Sequence, residues 1–133
     1  MGLPAAKEND QVIGVDIHIV MVPVPLSPPV PTLLPHVFSG KLDGGLSSDV
    51  NIMGKPAATV DSTATNSPSH IPTPPGVSFQ SPPANKGTVM LGSQTVKING
   101  KGAARMGDLV KTCNDPADAP VSQIIATGTV FIG

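Results

Sequence analysis

The chain has 133 residues and a formal net charge of −1, and it contains three Phe but no Trp or Tyr. This near-neutral charge, with no basic stripe, argues against nucleic-acid binding. No segment approaches the ~20 apolar residues that a membrane helix needs. Aromatic side chains contribute much of the buried apolar area in most protein cores. A chain with so few of them is therefore expected to gain stability from a metal, from oligomerisation or from a partner. Cys113 is the only cysteine, which excludes an internal disulfide and is typical of a reducing compartment.

Taken in chain order, residues 1–11 are polar and are predicted to be a loose N-terminal tail, followed by one domain over residues 12–133. In residues 12–22, Ile and Val alternate with Gly14, Asp16 and His18, a period of two that predicts a strand with His18 on its polar side. Residues 23–35 hold six prolines. They are predicted to cross the surface as an extended, polyproline-like segment, because proline is excluded from helices and central strands.

A repeat follows, because residues 50–58 return as residues 96–104 with the same Val, Ile, Gly, Lys and paired Ala. A repeat defines a structural unit. Each copy contains a two-residue turn, Met53-Gly54 or Asn99-Gly100, between two short strands, and Asn-Gly is the strongest short hairpin signal. The sequence therefore predicts two equivalent hairpins.

The rest of the chain is also β-rich. Residues 64–83 and 113–120 are predicted loops, residues 88–92 a strand, and residues 122–132 a last strand pair. No window of 11 residues shows a helical period without a Pro or Gly in it. The fold class predicted is all-β, with short hairpins and long proline-rich loops.

The repeated segment resembles the PAAR-repeat family, which is named after a Pro-Ala-Ala-Arg motif that a Gly-Asp turn usually follows. One copy reads Gly-Ala-Ala-Arg-Met-Gly-Asp over residues 102–108, so that Gly102 replaces the proline. The other reads Pro-Ala-Ala-Thr-Val-Asp over residues 56–61, so that Thr59 replaces the arginine. The resemblance extends over roughly residues 12–133.

The resemblance implies a small cone of short β-hairpins with pseudo-threefold symmetry and a metal near its apex. It implies a non-enzymatic tip that caps the trimeric VgrG-type spike of a contractile injection system, either type VI secretion or an extracellular or phage-like particle. One tip would sit on each trimer, through an apolar base around residues 88–91 and 130–132, and would sharpen the spike for transient contact with a target membrane. Effector cargo is a further implied partner.

Two other functions stay open from the residues. An effector-recruiting adaptor would use the proline segments at residues 23–35 and 72–83. A small metallohydrolase would need a three-histidine metal site with an open position, and no catalytic base for it is evident. We therefore predict no enzymatic activity and no catalytic residues.

The metal ligands predicted are His18, His36, His70 and Cys113, a His₃Cys set that suits zinc. Four protein ligands leave no place for an activated water, so such a zinc would be structural. The spacings match no compact zinc-finger pattern, and on their own they favour the alternative, in which each histidine is a loop or surface residue and Cys113 a small buried apolar group. His18 could instead bond a backbone group. The resemblance places His36, His70 and Cys113 in loops that converge at the apex.

Four other residues have structural interpretations. Asp16, Asp61 and Asp108 adjoin predicted turns and are interpreted as turn residues whose carboxylates bond backbone amides. Arg105 is predicted to pair either with Asp108 or with an acidic group of a partner.

The N-terminus has no cationic-then-apolar leader, so we expect assembly in the cytoplasm and delivery on the spike without a signal peptide.

Overall fold

A computed structural model describes residues 2–133, which form thirteen strands and no helix. The prediction of an all-β fold is confirmed. Within the described residues there is accordingly no helix with the length and apolarity of a membrane span. The strands are β1 (Leu3–Pro4), β2 (Gln11–Val24), β3 (Ser27–Gly44), β4 (Asn51–Ile52), β5 (Lys55–Pro56), β6 (Thr63–Asn66), β7 (Ser78–Phe79), β8 (Lys86–Val89), β9 (Lys97–Ile98), β10 (Lys101–Gly102), β11 (Leu109–Thr112), β12 (Ala119–Ile125) and β13 (Phe131–Ile132).

The main sheet closes on itself. Its strands follow the order β12-β11-β8-β6-β3-β2-β7, and β12 also pairs with β2. Six strands therefore form a closed antiparallel ring made of three pairs, β2–β3, β6–β8 and β11–β12. Closure leaves these strands without free edges over the paired residues.

Three short hairpins accompany the ring of strands. The two predicted from the repeat are confirmed as β4–β5 and β9–β10, and both turn residues of each have positive φ, as a two-residue hairpin turn requires. The third hairpin joins the two ends of the chain, because Leu3 pairs with Ile132 and Pro4 with Phe131. In this register the pair of Leu3 with Ile132 is equivalent to the pair of Lys55 with Ile52 in β4–β5.

The prediction of a loose tail at residues 1–11 is therefore wrong for the described residues. Pro4-Ala5-Ala6-Lys7 is a further copy of the motif, and Ala5 and Ala6 are buried. The segment gains the strand pairing and the burial that a polar tail would lack. The sequence contained a signal for it, because Pro4-Ala5-Ala6 is identical to Pro56-Ala57-Ala58.

Backbone hydrogen bonds tie the three motif copies into a ring. The N–H of Ala6 donates to the carbonyl of Ala104 (2.9 Å), that of Ala104 to Ala58 (3.0 Å), and that of Ala58 to Ala6 (3.0 Å). An adjacent set of bonds repeats the pattern, from Glu8 to Pro56 (2.9 Å), from Val60 to Gly102 (2.9 Å) and from Met106 to Pro4 (2.8 Å). The pseudo-threefold symmetry is thus built into the main chain.

Small side chains line the axis of this ring. The buried alanines of the three motif copies lie between two apolar clusters, since one alanine of each pair faces each cluster. One cluster contains Ile52, Ile98 and Ile132, one from each hairpin. The other contains Phe38 and side chains of the closed sheet. Alanine fits because three backbones approach closely at the axis and leave no room for larger groups.

The longest hairpin, β2–β3, extends beyond the closed sheet and turns at Leu26. Residues 21–33 are here called the arm. The prediction of a polyproline-like crossing over residues 23–35 is wrong, because these residues lie in the arm and in β3. Pro31 and Pro35 are tolerated because β3 is an edge strand there, and their positions direct the missing N–H away from β2. Pro23 lies where the register of the pair shifts.

The predicted loop at residues 64–83 is partly strand. β6 begins it, and β7 pairs through Phe79 and Ser78 with Val20 and Met21 of β2. This long segment thereby covers one side of β2, and it holds His70 against the same strand.

Candidate metal centre

Four buried side chains with metal-binding atoms converge beside β2. They are Asp16 and His18 on β2, His70 in the segment after β6, and Cys113 directly after β11. One ligand atom of each lies within 4.8 Å of the others. The arrangement brings together three of the four predicted ligands and adds a carboxylate.

The pseudo-symmetry explains how distant residues meet here. His18 and His70 follow their ring alanines, Ala6 and Ala58, at the same spacing of 12 residues. Equivalent positions of a threefold structure lie at the same height along its axis, so the two imidazoles face each other, with ring centroids 5.1 Å apart. Pro116 holds the same spacing in the remaining copy, and Cys113 contributes there instead.

His18 has the environment expected of a metal ligand. Both of its ring nitrogens are buried without a hydrogen-bond partner among the described residues. Its Nδ1 lies 3.4 Å from the Asp115 carboxylate without hydrogen-bond geometry, and that carboxylate accepts a bond from the Ile19 amide (2.8 Å). Buried polar groups are nearly always paired, so an unpartnered imidazole beside a carboxylate is an arrangement that could bind a metal, with the carboxylate orienting the ring.

His70 and Asp16 contact each other directly. His70 Nε2 lies 2.9 Å from Asp16 Oδ2, and its Nδ1 lies 3.3 Å from the side-chain amide of Asn66. Asp16 Oδ1 accepts bonds from the Thr112 hydroxyl and from the Asn114 amide. The two bonds to Oδ1 fix the orientation of the Asp16 carboxylate, and its Oδ2 faces the other side chains of the cluster.

The interpretation of Asp16 as a turn residue is wrong. It lies within β2 and is fully buried. The sequence contained a signal, because Asp16 shares the polar face of the alternation with His18. That polar face is the buried one, while Ile13, Val15 and Ile17 on the apolar face are partly exposed.

Cys113 is a buried thiol at the centre of the cluster. Burial, together with the nearby Asp16 carboxylate, raises the pKa of Cys113 to about 11. Its Sγ lies 3.4 Å from Asp16 Oδ2. A divalent metal would supply the positive charge that favours the thiolate, so binding would release a proton.

His36 lies beside the cluster with a different set of contacts. It is on strand β3, so its predicted place in a loop is wrong. Its Nδ1 donates to the Leu34 carbonyl (2.9 Å), and its Nε2 accepts from the Thr73 amide (3.1 Å). Its ring packs 5.4 Å from that of His18 and 5.5 Å from that of His70. Burial lowers the pKa of His36, and its role as a ligand stays a prediction.

The other singled-out residues lie in the motif turns. Arg105 pairs with Asp108 through two hydrogen bonds of 3.1 and 2.9 Å, and these raise the pKa of Arg105. Asp108 also accepts from the Arg105 amide (2.8 Å), which confirms its turn role. In the other copy, the hydroxyl of Ser62 accepts the equivalent hydrogen bond from the Thr59 amide. Asp61 instead occupies the positive-φ position of Gly107, and no backbone amide of the described residues is bonded to its carboxylate.

Comparison with known proteins identifies one family motif in the chain. A family model described as the PAAR motif matches residues 80–133. This stretch includes the motif copy at residues 102–108 and also Cys113. No curated protein matches the chain. The chain carries a PAAR motif in its C-terminal part, and its resemblance to the PAAR-repeat family of spike-tip proteins is confirmed.

Proposed function

We propose that this protein caps a trimeric VgrG-type spike, with one chain on each trimer. The observation that carries the proposal is the hydrogen-bonded ring of Ala6, Ala58 and Ala104. A single chain normally has no three equivalent surfaces to offer a trimer. Here three motif copies and three short hairpins surround one axis, so each spike subunit would meet a similar surface.

The contact face is inferred from the arm. Strand β2 leads from the ring past His18 to the arm at its far end, and the arm has no counterpart in the other two repeats. The end that bears the arm therefore lacks threefold symmetry. The opposite end presents Asn51, Lys97 and Phe131 at equivalent hairpin positions, and all three are exposed. We place the spike contact on that end.

In this proposal the tip acts mechanically. The match to the PAAR motif supports a structural role as a spike tip, and a rigid tip would concentrate the force of contraction on a small area of membrane. The chain would assemble on the spike in the cytoplasm and leave the cell with it. Effector attachment would be supported if deleting residues 72–77 lost a cargo protein but preserved the spike complex.

The experiment is a titration of the full chain into the trimeric spike protein, read by native mass spectrometry. We expect one chain per trimer, and three chains per trimer would contradict the proposal. Phe131→Glu should weaken the complex. Val121→Glu is the matched control, because Val121 is exposed on β12, away from the hairpins, and should leave the complex unchanged.

We also propose that the metal is a structural zinc. His18, His70 and Cys113 provide imidazole and thiolate donors, which suit zinc. The fourth position has two candidates, Asp16 by its place in the cluster and His36 by the resemblance. When bound, zinc would cross-link β2 to the segments after β6 and β11. These residues would hold it, and no catalytic step is required of it.

The metal proposal is tested by elemental analysis and by cobalt substitution. We expect one zinc per chain, and a cobalt form whose thiolate charge-transfer band is lost in Cys113→Ser. Asp16→Asn and His36→Gln separate the two candidates, since only the variant of the true fourth ligand should alter the cobalt spectrum. A zinc content far below one per chain in freshly purified protein would contradict the proposal.

A further inference from the structure

The arm belongs to a long segment without charged side chains. Between Asp16 and Lys41 the chain contains no Asp, Glu, Lys or Arg. The segment includes the outer half of β2, the turn and the outer half of β3. Beyond Val20 and Met21, which pair with β7, strand β2 pairs only with β3, so the arm extends past the closed sheet as a two-stranded hairpin.

The arm presents apolar side chains to solvent. Residues 23–31 are all exposed, and the large apolar groups among the arm's exposed residues are Val24, Leu26, Val30 and Leu33. Leu26, at the turn, has a relative exposure of 108 %. Val30 and Leu33 are three positions apart on β3 and therefore lie on opposite faces of the hairpin, so exposed apolar groups occur on both faces of the arm and at its turn. Exposed apolar surface on an element that extends from the molecule is typical of an interaction site with a protein or a membrane.

Leu26 is also poorly suited to its position if folding alone is considered. Its φ is 59°, in the left-handed region that Gly and Asn adopt most easily and that a bulky side chain rarely adopts. A fully exposed Leu gains no packing there. The residue type therefore costs stability at the turn, which points to a use outside the folded chain.

The backbone of the arm suits an apolar medium better than strand addition. A partner strand would need the outward N–H groups of β3, but Pro31 has none, and neither does Pro35 next to the arm. In a bilayer, each unpaired N–H is costly. The same prolines therefore discourage a pairing protein and reduce the cost of contact with lipid.

The length of the arm is also suited to insertion into a bilayer. From Met21 to Leu26 the strand rises about 17 Å at ~3.3 Å per residue. The hydrocarbon core of a bilayer is about 30 Å thick, so the arm reaches to a depth of roughly one leaflet.

We propose that the arm is a lipid-inserting element whose tip, around Leu26, enters the acyl region of the target bilayer. Because the arm carries no charge, its occupant is the hydrocarbon itself, and binding should not depend on anionic lipid. The biological setting rests on the proposed spike-tip function, but contact with lipid can be measured without the spike.

The test uses the absence of Trp from the chain. Leu26→Trp places a single fluorophore at the tip of the arm, and Phe131→Trp places one on the opposite hairpin face. With phosphatidylcholine vesicles we expect a blue shift for Leu26→Trp and quenching by brominated acyl chains, with neither for Phe131→Trp. Adding phosphatidylglycerol should change the result little.

A second variant separates lipid contact from folding. Leu26→Asn suits the positive φ, so the variant should be at least as stable as the parent chain, yet its partition into vesicles should fall about tenfold or more, as loss of a buried Leu predicts. Vesicle flotation measures the partition, and urea unfolding measures the stability.

Three outcomes would overturn the inference. They are no shift for Leu26→Trp, an equal shift at both Trp positions, and a shift that depends on protein concentration without vesicles, which would indicate a second copy as the occupant. Spike binding by Leu26→Asn is measured in parallel. If the parent chain binds the spike protein but not vesicles, only the arm proposal is contradicted. If it binds vesicles but not the spike protein, only the spike proposal is contradicted.

Discussion

At the scale of single residues, the cluster beside β2 concentrates polar groups in a part of the molecule that should be apolar. Asp16 is fully buried and His18 is 1 % exposed. Burial of a polar group costs free energy unless it is paired. Asp16 has its partners in Thr112, Asn114 and His70, whereas neither ring nitrogen of His18 has a hydrogen-bond partner in residues 2–133.

This contrast leads to a prediction for His18→Leu. Without metal, the substitution removes an unpaired polar group, so the free energy of unfolding should stay within about 1 kcal/mol of the parent chain or rise. With saturating zinc, the variant should be less stable than the parent chain by several kcal/mol, because it loses a ligand. Urea unfolding in chelator and in excess zinc measures both values.

His36→Leu is the matched control for this experiment. It removes the bonds to the Leu34 carbonyl and the Thr73 amide, so it should destabilise the metal-free chain. If His18→Leu destabilised the metal-free chain as strongly as His36→Leu, the assignment of His18 as a ligand would be contradicted.

At the scale of elements, the motif copies differ where their neighbours differ. Gly102 stands where the other copies have Pro4 and Pro56. A Cβ on Gly102 would lie 2.7 Å from the carbonyl oxygen of Ser93, and one on Gly92 would lie 2.8 Å from the carbonyl oxygen of Gly102. The proline of the motif is therefore absent because another backbone passes too close.

We accordingly predict that restoring the motif will destabilise the protein. Gly102→Pro should lower the free energy of unfolding by about 2 kcal/mol, since the backbone at Ser93 must shift. Pro56→Gly should cost only about 1 kcal/mol, through the entropy of the unfolded chain. Thermal unfolding of the two variants at equal metal loading provides the comparison, and a more stable Gly102→Pro would contradict the steric explanation.

The alternating pattern of β2 predicted the strand but not the face that is buried. Alternation predicted β2 correctly as a strand, and it separated two faces. It did not say which face is inside, because a buried polar face is rare and needs partners from other segments. Those partners, His70 and Cys113, are more than 50 residues further along the chain.

At the scale of the whole molecule, the ends of the chain complete the threefold arrangement. The hairpin of β1 with β13 has the register of the two continuous hairpins. The chain break therefore lies at one of three equivalent positions, and moving it to another should preserve the native contacts.

This geometry predicts that a circular permutant will fold. Gly133 would be joined to Gly2, which creates a two-residue turn, and the chain would be opened between Asn99 and Gly100. We expect native-like circular dichroism and an unfolding free energy within about 2 kcal/mol of the parent chain, because one hairpin turn is exchanged for another. A permutant opened inside β11, between Val110 and Lys111, is the control and should fail to fold. Equal behaviour of the two permutants would contradict the equivalence of the three hairpins.

The sequence by itself determined the local elements. The period of two in β2, the Asn-Gly and Met-Gly turns and the scarcity of helical patterns arise from backbone preferences within a few residues. The repeat indicated the family, and the scarcity of aromatic groups indicated a need for further stabilisation. His18, His70 and Cys113 were predicted as ligands from residue type and resemblance.

Only the tertiary structure decided what depends on distant segments. It showed that Pro4-Ala5-Ala6 is the third member of the ring, because the hydrogen bonds of Ala6 with Ala58 and Ala104 join segments that are distant in the chain. It turned the proline segment into the arm, since an edge strand tolerates proline on its open side. It also placed Asp16 in the cluster, because the faces of β2 acquire an inside and an outside only when β12, the segment after β6 and the loop at Cys113 pack around them.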